Sequence, residues 1–269
     1  TTQRILGVLL MMFSATMFVP MLIGLFYGDG TWLLFVQSLA LILAAGATFW
    51  FPVRRQRREL GLRDGFLIVA SFWIVLGSAG ALPFYLADIL SMSFTDAVFE
   101  SVSGITTTGA TVLNGLDTLP RSILFYRQQL QWFGGMGIIV LAVAVLPMLG
   151  VGGMQLYRAE TPGPIKDTKL TPRITETAKA LWYVYLAFTV FCAAGYLFAG
   201  MDPFDAICHA FSTVAIGGFS THDLSIGYFD SPAIKLVGII FMVLAGVNFS
   251  LHFIAWRKVS INQYGKDPE

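Results

Sequence analysis

Apolar residues in this chain come in long unbroken runs, not in the one-face stripe of a helix that packs in water. The runs place candidate spans at about Ile5–Tyr27, Trp32–Phe51, Phe66–Ala87, Ile123–Met148, Leu181–Gly200 and Ile234–Trp256. Each approaches or exceeds the ~20 residues that a helix needs to cross about 30 Å of hydrocarbon. The first run is longer than the 7–15 residues typical of a signal-peptide core, and no small-x-small cleavage site precedes Asp29. It therefore reads as a span. Two segments, Ser93–Leu119 and Asp202–Asp230, interrupt the pattern with mixed polarity and frequent Gly, Thr and Ser. They fall between the third and fourth spans and between the fifth and sixth.

These two segments are copies of one another. Laying Asp96 on Asp205 sets a single ungapped offset of 109 residues, under which DAVFESVSGITTTGATV faces DAICHAFSTVAIGGFST. Ala97 then meets Ala206, Ser103 meets Ser212 and Gly109 meets Gly218, while Val98 opposite Ile207 and Ile105 opposite Val214 keep their character. Topology repeats with sequence, since each copy follows one span and precedes another. The first two spans, joined only by Gly28–Thr31, stand outside the repeat as an added hairpin. The organisation expected is a hairpin over 1–62, a first repeat over 63–174 and a second over 175–269.

Composition agrees with this class: 56% of residues are hydrophobic and 12% charged, against about 45–50% and roughly 25% in soluble domains. The net charge of +1 says little, but its distribution says more. If six spans alternate, Arg4, Arg54, Arg55, Arg57, Arg58, Arg63, Arg158, Lys166, Lys169, Arg173, Lys179, Arg257, Lys258 and Lys266 share one side, and only Arg121, Arg127 and Lys235 do not. The positive-inside rule puts that side, with both ends of the segment, in the cytoplasm. The Arg54–Arg58 cluster then serves as a topology anchor and not as a nucleic-acid site. Cys192 and Cys208 form no disulfide framework or metal pattern.

Each repeated segment opens with about ten residues able to form a short helix, with Asp96 or Asp205 placed to cap it. Each helix runs into a Gly/Thr-rich stretch, ITTTGAT at Ile105–Thr111 and VAIGGFST at Val214–Thr221. A short helix entering from outside aims its negative end at the membrane centre, and a following glycine lets successive carbonyls turn toward one axis and replace a cation's hydration shell. Irregular backbone at membrane depth is tolerated only where protein buries it or where it lines a wet cavity. The plain alternative, loops whose glycines merely turn the chain, does not predict a matched pattern at one offset.

TTTGAT at Thr106–Thr111, WFGGMGIIVLAVAVLP at Trp132–Pro147, LYRAETPGP at Leu156–Pro164 and AIGGFSTHD at Ala215–Asp223 together closely resemble the TrkH proteins of the bacterial Trk/Ktr and plant HKT superfamily of potassium transporters. The resemblance covers essentially the whole chain. It implies an all-α membrane protein with a potassium-channel-like pore. The full subunit would hold four repeats of helix, re-entrant pore loop and helix, preceded by the extra two-helix unit. It further implies K+ uptake across the bacterial inner membrane, a homodimer surrounded by lipid, and a cytosolic nucleotide-binding regulatory subunit, TrkA. By position in the family's motif, the carbonyls of Thr107, Thr108, Gly109 and Ala110, and of Ile216, Gly217, Gly218 and Phe219, would face the K+ ion. Glycine at Gly109 and Gly218 fits the potassium pattern. Only two of four repeats are present, and two loops cannot close a four-sided filter. The third and fourth are expected from a continuation of the chain or, as the lesser reading, from a second copy.

The remaining polar residues leave alternatives open. Glu100 and His209 occupy equivalent repeat positions, where an intramembrane ionisable group is a functional candidate. They either brace their loops or serve a proton- or sodium-coupled symport alternative to the passive pore. Arg127 is expected to brace, with Glu100 as partner, since a cation in the conduction path would repel K+. Asn248 either lines the cavity or bonds a neighbouring helix. His209, His222, His252 and Cys208 match no zinc spacing, and Ser220, His222 and Asp223 come without the G-x-S-x-G turn of a hydrolase. No enzyme activity and no organic cofactor are expected.

Overall fold

The computed structural model of the chain describes residues 2–55, 62–137 and 174–247, together with Phe249, Leu251, His252 and Ala255. Among these the chain is helical, without a strand. Arg57, Arg58, the Leu156–Pro164 motif, Asn248 and the later parts of the fourth and sixth expected spans lie outside the described residues.

The first span is two helices, Thr2–Thr16 (α1) and Phe18–Tyr27 (α2). Pro20 explains the break. It has no N–H to give the Thr16 carbonyl, and its ring crowds that same oxygen. The orphaned carbonyl is taken by Gln129 Nε2 at 2.9 Å, so the kink is where the hairpin fastens to the rest of the protein. Trp32–Trp50 (α3) runs back along α1. The two cross where Gly7 meets Gly46, and a β-carbon on either glycine would stand 2.8 Å from the other's carbonyl oxygen. Small residues allow this close backbone approach. Gly46→Leu is expected to lower stability by about 1–3 kcal/mol through overpacking, read as a drop in thermal midpoint in detergent.

The turn between α2 and α3 also fastens the hairpin. Asp29 Oδ1 accepts from the Thr31 amide at 3.1 Å and its hydroxyl at 2.7 Å, while Oδ2 accepts from the Ser122 amide at 3.0 Å. The carboxylate thus caps, from a distance in sequence, the helix Arg121–Trp132 (α7). Burial alone would raise its pKa, but the bonds from Thr31 and Ser122 outweigh that and hold it below the usual carboxylate value. A depressed folded pKa gives stability that is present above the unfolded value and lost as pH falls through the folded one. Asp29→Ala should therefore cost about 0.5–2 kcal/mol at neutral pH. The gap between wild type and variant should close below about pH 4, as measured by thermal unfolding across pH.

Leu62–Gly80 (α4) and Leu82–Leu86 (α5) form the third span, broken at Ala81 before Pro83. Phe94–Ile105 (α6) follows and packs on α4. In the second half, Ile174–Phe198 (α8), Pro203–Val214 (α9) and Pro232–Gly246 (α10) repeat the order long helix, short helix, helix. Among the described residues, three stretches are long and apolar enough to cross a membrane, Thr2–Tyr27, Trp32–Val53 and Lys179–Phe198, with shorter apolar helices at Ala70–Leu86 and Pro232–Gly246.

The fourth expected span departs from an unbroken helix. After Trp132 the chain widens into a π-turn over Phe133–Gly137, where Gly135 has φ −59° and ψ −135°. Packing makes the glycines there necessary. A β-carbon at Gly134 would collide with the Ile105 carbonyl, and one at Gly135 would stand 2.5 Å from the Tyr185 hydroxyl. Helix α7 is polar for a span yet buried from Ser122 to Gln131, because it is surrounded by protein. It packs against α2, α6 and α9, touching the hairpin and both short helices.

Candidate functional site

Helices α6 and α9 each have 12 residues and begin 109 positions apart. Their caps differ from the sequence expectation. Ser93, not Asp96, caps α6, with its hydroxyl accepting from the Asp96 amide at 3.2 Å and donating to the Asp96 carboxylate at 2.7 Å. Asp202, not Asp205, caps α9, accepting from the Phe204 amide at 3.0 Å. The two expected caps sit one turn inside, which frees the Asp205 carboxylate for other partners.

Both helices end in the same way. Thr107 N–H bonds to the Gly104 carbonyl at 3.0 Å and Thr108 N–H to the Ser103 carbonyl at 2.9 Å; Ile216 bonds to Thr213 at 3.1 Å and Gly217 to Ser212 at 2.9 Å. This is the Schellman closure, whose left-handed residue is usually glycine. Here it is Thr107 at φ 56° and Ile216 at φ 54°, both β-branched, with Gly109 at φ 75° and Gly218 at φ 87° two residues later. A β-branched residue in this region costs about 1–3 kcal/mol and persists only where its surroundings over-determine it.

In each loop the sign of φ alternates, positive at Thr107 and Gly109 and at Ile216 and Gly218, and not at the residues between. A strand with φ of one sign sends successive carbonyls to opposite sides. Alternation rotates every second peptide plane and brings successive carbonyls toward the same side. The loops also meet. A β-carbon on Gly109 would collide with the Gly217 carbonyl, so Gly109 is bare for its neighbour's sake as well as for its own φ.

Behind each loop a side chain of the preceding short helix holds the hydroxyl two residues past the glycine of positive φ. Glu100 accepts from Thr111 Oγ1 at 3.0 and 2.9 Å and from the Val112 amide at 3.1 Å. At the equivalent place, His209 Nε2 meets Ser220 Oγ at 2.9 Å, while its Nδ1 donates to the Asp205 carbonyl at 2.8 Å. Arg127, fully buried, joins the two systems. Its Nε donates to Glu100 at 2.8 Å, Nη2 to Thr111 Oγ1 at 3.0 Å and Nη1 to the Ser220 carbonyl at 2.9 Å. Its guanidinium also lies 4.4 Å from the Phe219 ring centroid. A single cation on α7 thus ties the first loop to the second.

Farther out, His222 bridges the two repeats. Its Nδ1 pairs with Asp117, its Nε2 lies 3.1 Å from Asp205 Oδ2, and its ring stacks on Tyr228 at 3.5 Å. Asp205 Oδ1 accepts from Thr221 Oγ1 at 2.7 Å, and Asp223 Oδ1 from the Leu116 amide at 3.2 Å. The His222 bond holds the Asp117 carboxyl below its usual value. Asp117, Asp205 and His222 went unrecognised as a cluster in sequence, because residues about a hundred positions apart supply its two sides.

The expected site residues fall in these two loops. Thr108, Ala110, Ile216 and Gly218 are exposed, Thr107 and Gly109 half-buried, Gly217 and Phe219 buried. The Ala110 carbonyl accepts from Ser103 Oγ at 2.6 Å, which commits one of its lone pairs to α6. The hydrolase grouping does not assemble: Ser220 is buried and bonded to His209 and to the His222 amide, and Asp223 serves Leu116. Among the described residues, no cluster of three or more His, Cys, Asp or Glu is arranged to hold a metal.

A profile of the TrkH family, described as cation transport protein, matches residues 33–266. The chain is 62% identical over 268 residues to the Trk system potassium uptake protein TrkH of Vibrio parahaemolyticus, covering 99% of this chain and 55% of that protein. Against the protein of the same name from Escherichia coli it is 59% identical over 266 residues, again 99% of this chain and 55% of the relative. The crystal structure of the potassium transporter TrkH from Vibrio parahaemolyticus superimposes with a TM-score of 0.85 at 57% identity, covering 99% of this chain and 54% of that one. The chain spans about half the length of the curated relatives it matches.

Proposed function

The chain belongs to the TrkH family of cation transport proteins, and from that premise we propose that it supplies two sides of a passive, channel-like pathway for K+ uptake. Selectivity resides in the carbonyls of Thr107, Thr108, Gly109 and Ala110 and of Ile216, Gly217, Gly218 and Phe219. The observation that carries this reading is the matched alternation of φ in two loops at one offset, strained at Thr107 and Ile216. Such a shape orients a row of carbonyls, and a dehydrated cation is what a row of carbonyls binds. Ala110 contributes least, its oxygen being shared with Ser103.

The lining groups suit transport and not catalysis. The coupled alternative needs Glu100 or His209 to change protonation during a cycle, yet Glu100 is locked by Arg127 and Thr111, and His209 by Asp205 and Ser220. Both act here as braces. The further organisation follows the family. Residues 1–62 form a hairpin beside two repeats, 63–174 and 175–269, and two more repeats complete the ring. The assembly is a homodimer in the bacterial inner membrane with both ends of this segment cytoplasmic, regulated by a nucleotide-binding subunit like TrkA.

The test is K+ flux in proteoliposomes holding the native assembly that contains this chain, under independently reversed K+, Na+ and proton gradients. Flux should follow the K+ electrochemical gradient alone. K+ movement driven uphill by an imposed proton or Na+ gradient would reject the passive pore.

A further inference from the structure

Gln131 belongs to the first repeat but touches the second loop. Its carboxamide is fully buried at the inner end of α7, and Oε1 accepts from the Phe219 amide at 3.1 Å. It also fills the space over Gly217. A β-carbon there would stand 2.6 Å from Gln131 Oε1 and 2.7 Å from Nε2, so Gly217, whose φ makes no demand for glycine, must be bare to admit the amide. Nε2 has no hydrogen-bond partner among the described residues. Stability alone gives no reason to bury an unpartnered amide in this place, where a methionine of the same length would fit without it.

The single bond that Gln131 does make has a defined consequence. The peptide unit is planar and trans, so its N–H and C=O point in opposite directions. The N–H of Phe219 and the carbonyl of Gly218 belong to one such unit. Holding the N–H toward α7 holds the Gly218 carbonyl on the side away from α7. The first loop is clamped by other means, its Ala110 carbonyl being gripped from its own pore helix by Ser103 at 2.6 Å.

We infer that Gln131 is a positioning residue for ion selectivity: from the first repeat, it fixes the plane of the Gly218–Phe219 peptide in the second loop and so presents the Gly218 carbonyl to the cation. The inference rests on reading the loops as a filter.

The experiment measures the K+ over Na+ permeability ratio of the native assembly in liposomes for four proteins. These are the wild type, Gln131→Met, a backbone ester at Phe219 that deletes only its N–H, and the two changes combined. Gly109→Ser serves as a control. Gln131→Met should insert and melt as the wild type does while its ratio falls about five- to tenfold, the worth of one net hydrogen bond. The ester should lower the ratio equally, and the combination should add nothing, because both changes break the same bond. An unchanged ratio in Gln131→Met, with a collapsed one in Gly109→Ser, would overturn the inference and leave the filter reading intact. Unchanged ratios in both would overturn the filter reading itself. Additive losses would show that Gln131 acts by another route and overturn the inference. If Gln131→Met failed to fold, the ester alone would decide, with an unchanged ratio counting against the proposal.

Discussion

Gly109→Ser is expected to abolish the preference for K+ over Na+ while the protein still reaches the membrane. Two penalties act at once. Any β-carbon at φ 75° costs about 1–2 kcal/mol, and at Gly109 it also collides with the Gly217 carbonyl of the neighbouring loop. The change therefore displaces backbone in both loops. Gly218 offers the contrast. Its φ is 87°, but nothing lies within 4 Å of a β-carbon built there, so only the backbone penalty applies. Asparagine tolerates left-handed backbone better than most residues. Gly218→Asn should thus keep much of the selectivity and Gly109→Asn should not. Permeability ratios from reversal potentials check both, and an equal response to asparagine at the two sites would contradict the account.

The second large effect is on the brace. Arg127→Met leaves Glu100 charged, fully buried and without its cation, a situation that costs about 3–5 kcal/mol. It also releases the Ser220 carbonyl and the Thr111 hydroxyl, one from each loop. Both stability and selectivity should fall together. Adding Glu100→Gln to Arg127→Met removes the stranded charge and should recover a substantial part of the stability. Selectivity should stay low, because the two loops remain untied. Thermal midpoints of the two singles and the double form a cycle whose coupling should be large. Additive single effects would mean that the 2.8 Å ion pair is incidental.

Much of this was legible in the sequence for a physical reason: two loops of the same shape need the same devices. The 109-residue offset carried Gly109 onto Gly218 and Glu100 onto His209, and the structure gives each pair the same local task. Pairing of Arg127 with Glu100 was readable from charge and expected depth. Less readable was the left-handed backbone at Thr107 and Ile216, since β-branched residues normally avoid it; glycine draws attention there and Thr does not. The helix caps were misplaced by one turn because Ser93 and Asp202 compete with Asp96 and Asp205 for the same role, and only the backbone decides between them. The need for glycine at Gly135 depends on the position of Tyr185, and the roles of Asp29, Gln131 and His222 depend on partners about 90 or more positions away. No local pattern encodes such contacts.

The most direct measurement of the central claim is anomalous diffraction from crystals of the native assembly grown in rubidium or thallium(I), both close mimics of K+. Peaks are expected in direct contact with carbonyl oxygens of both the Thr107–Ala110 and Ile216–Phe219 segments. Peaks lying instead against Glu100, His209 or the Asp117–His222 cluster, with none at the loops, would contradict that claim.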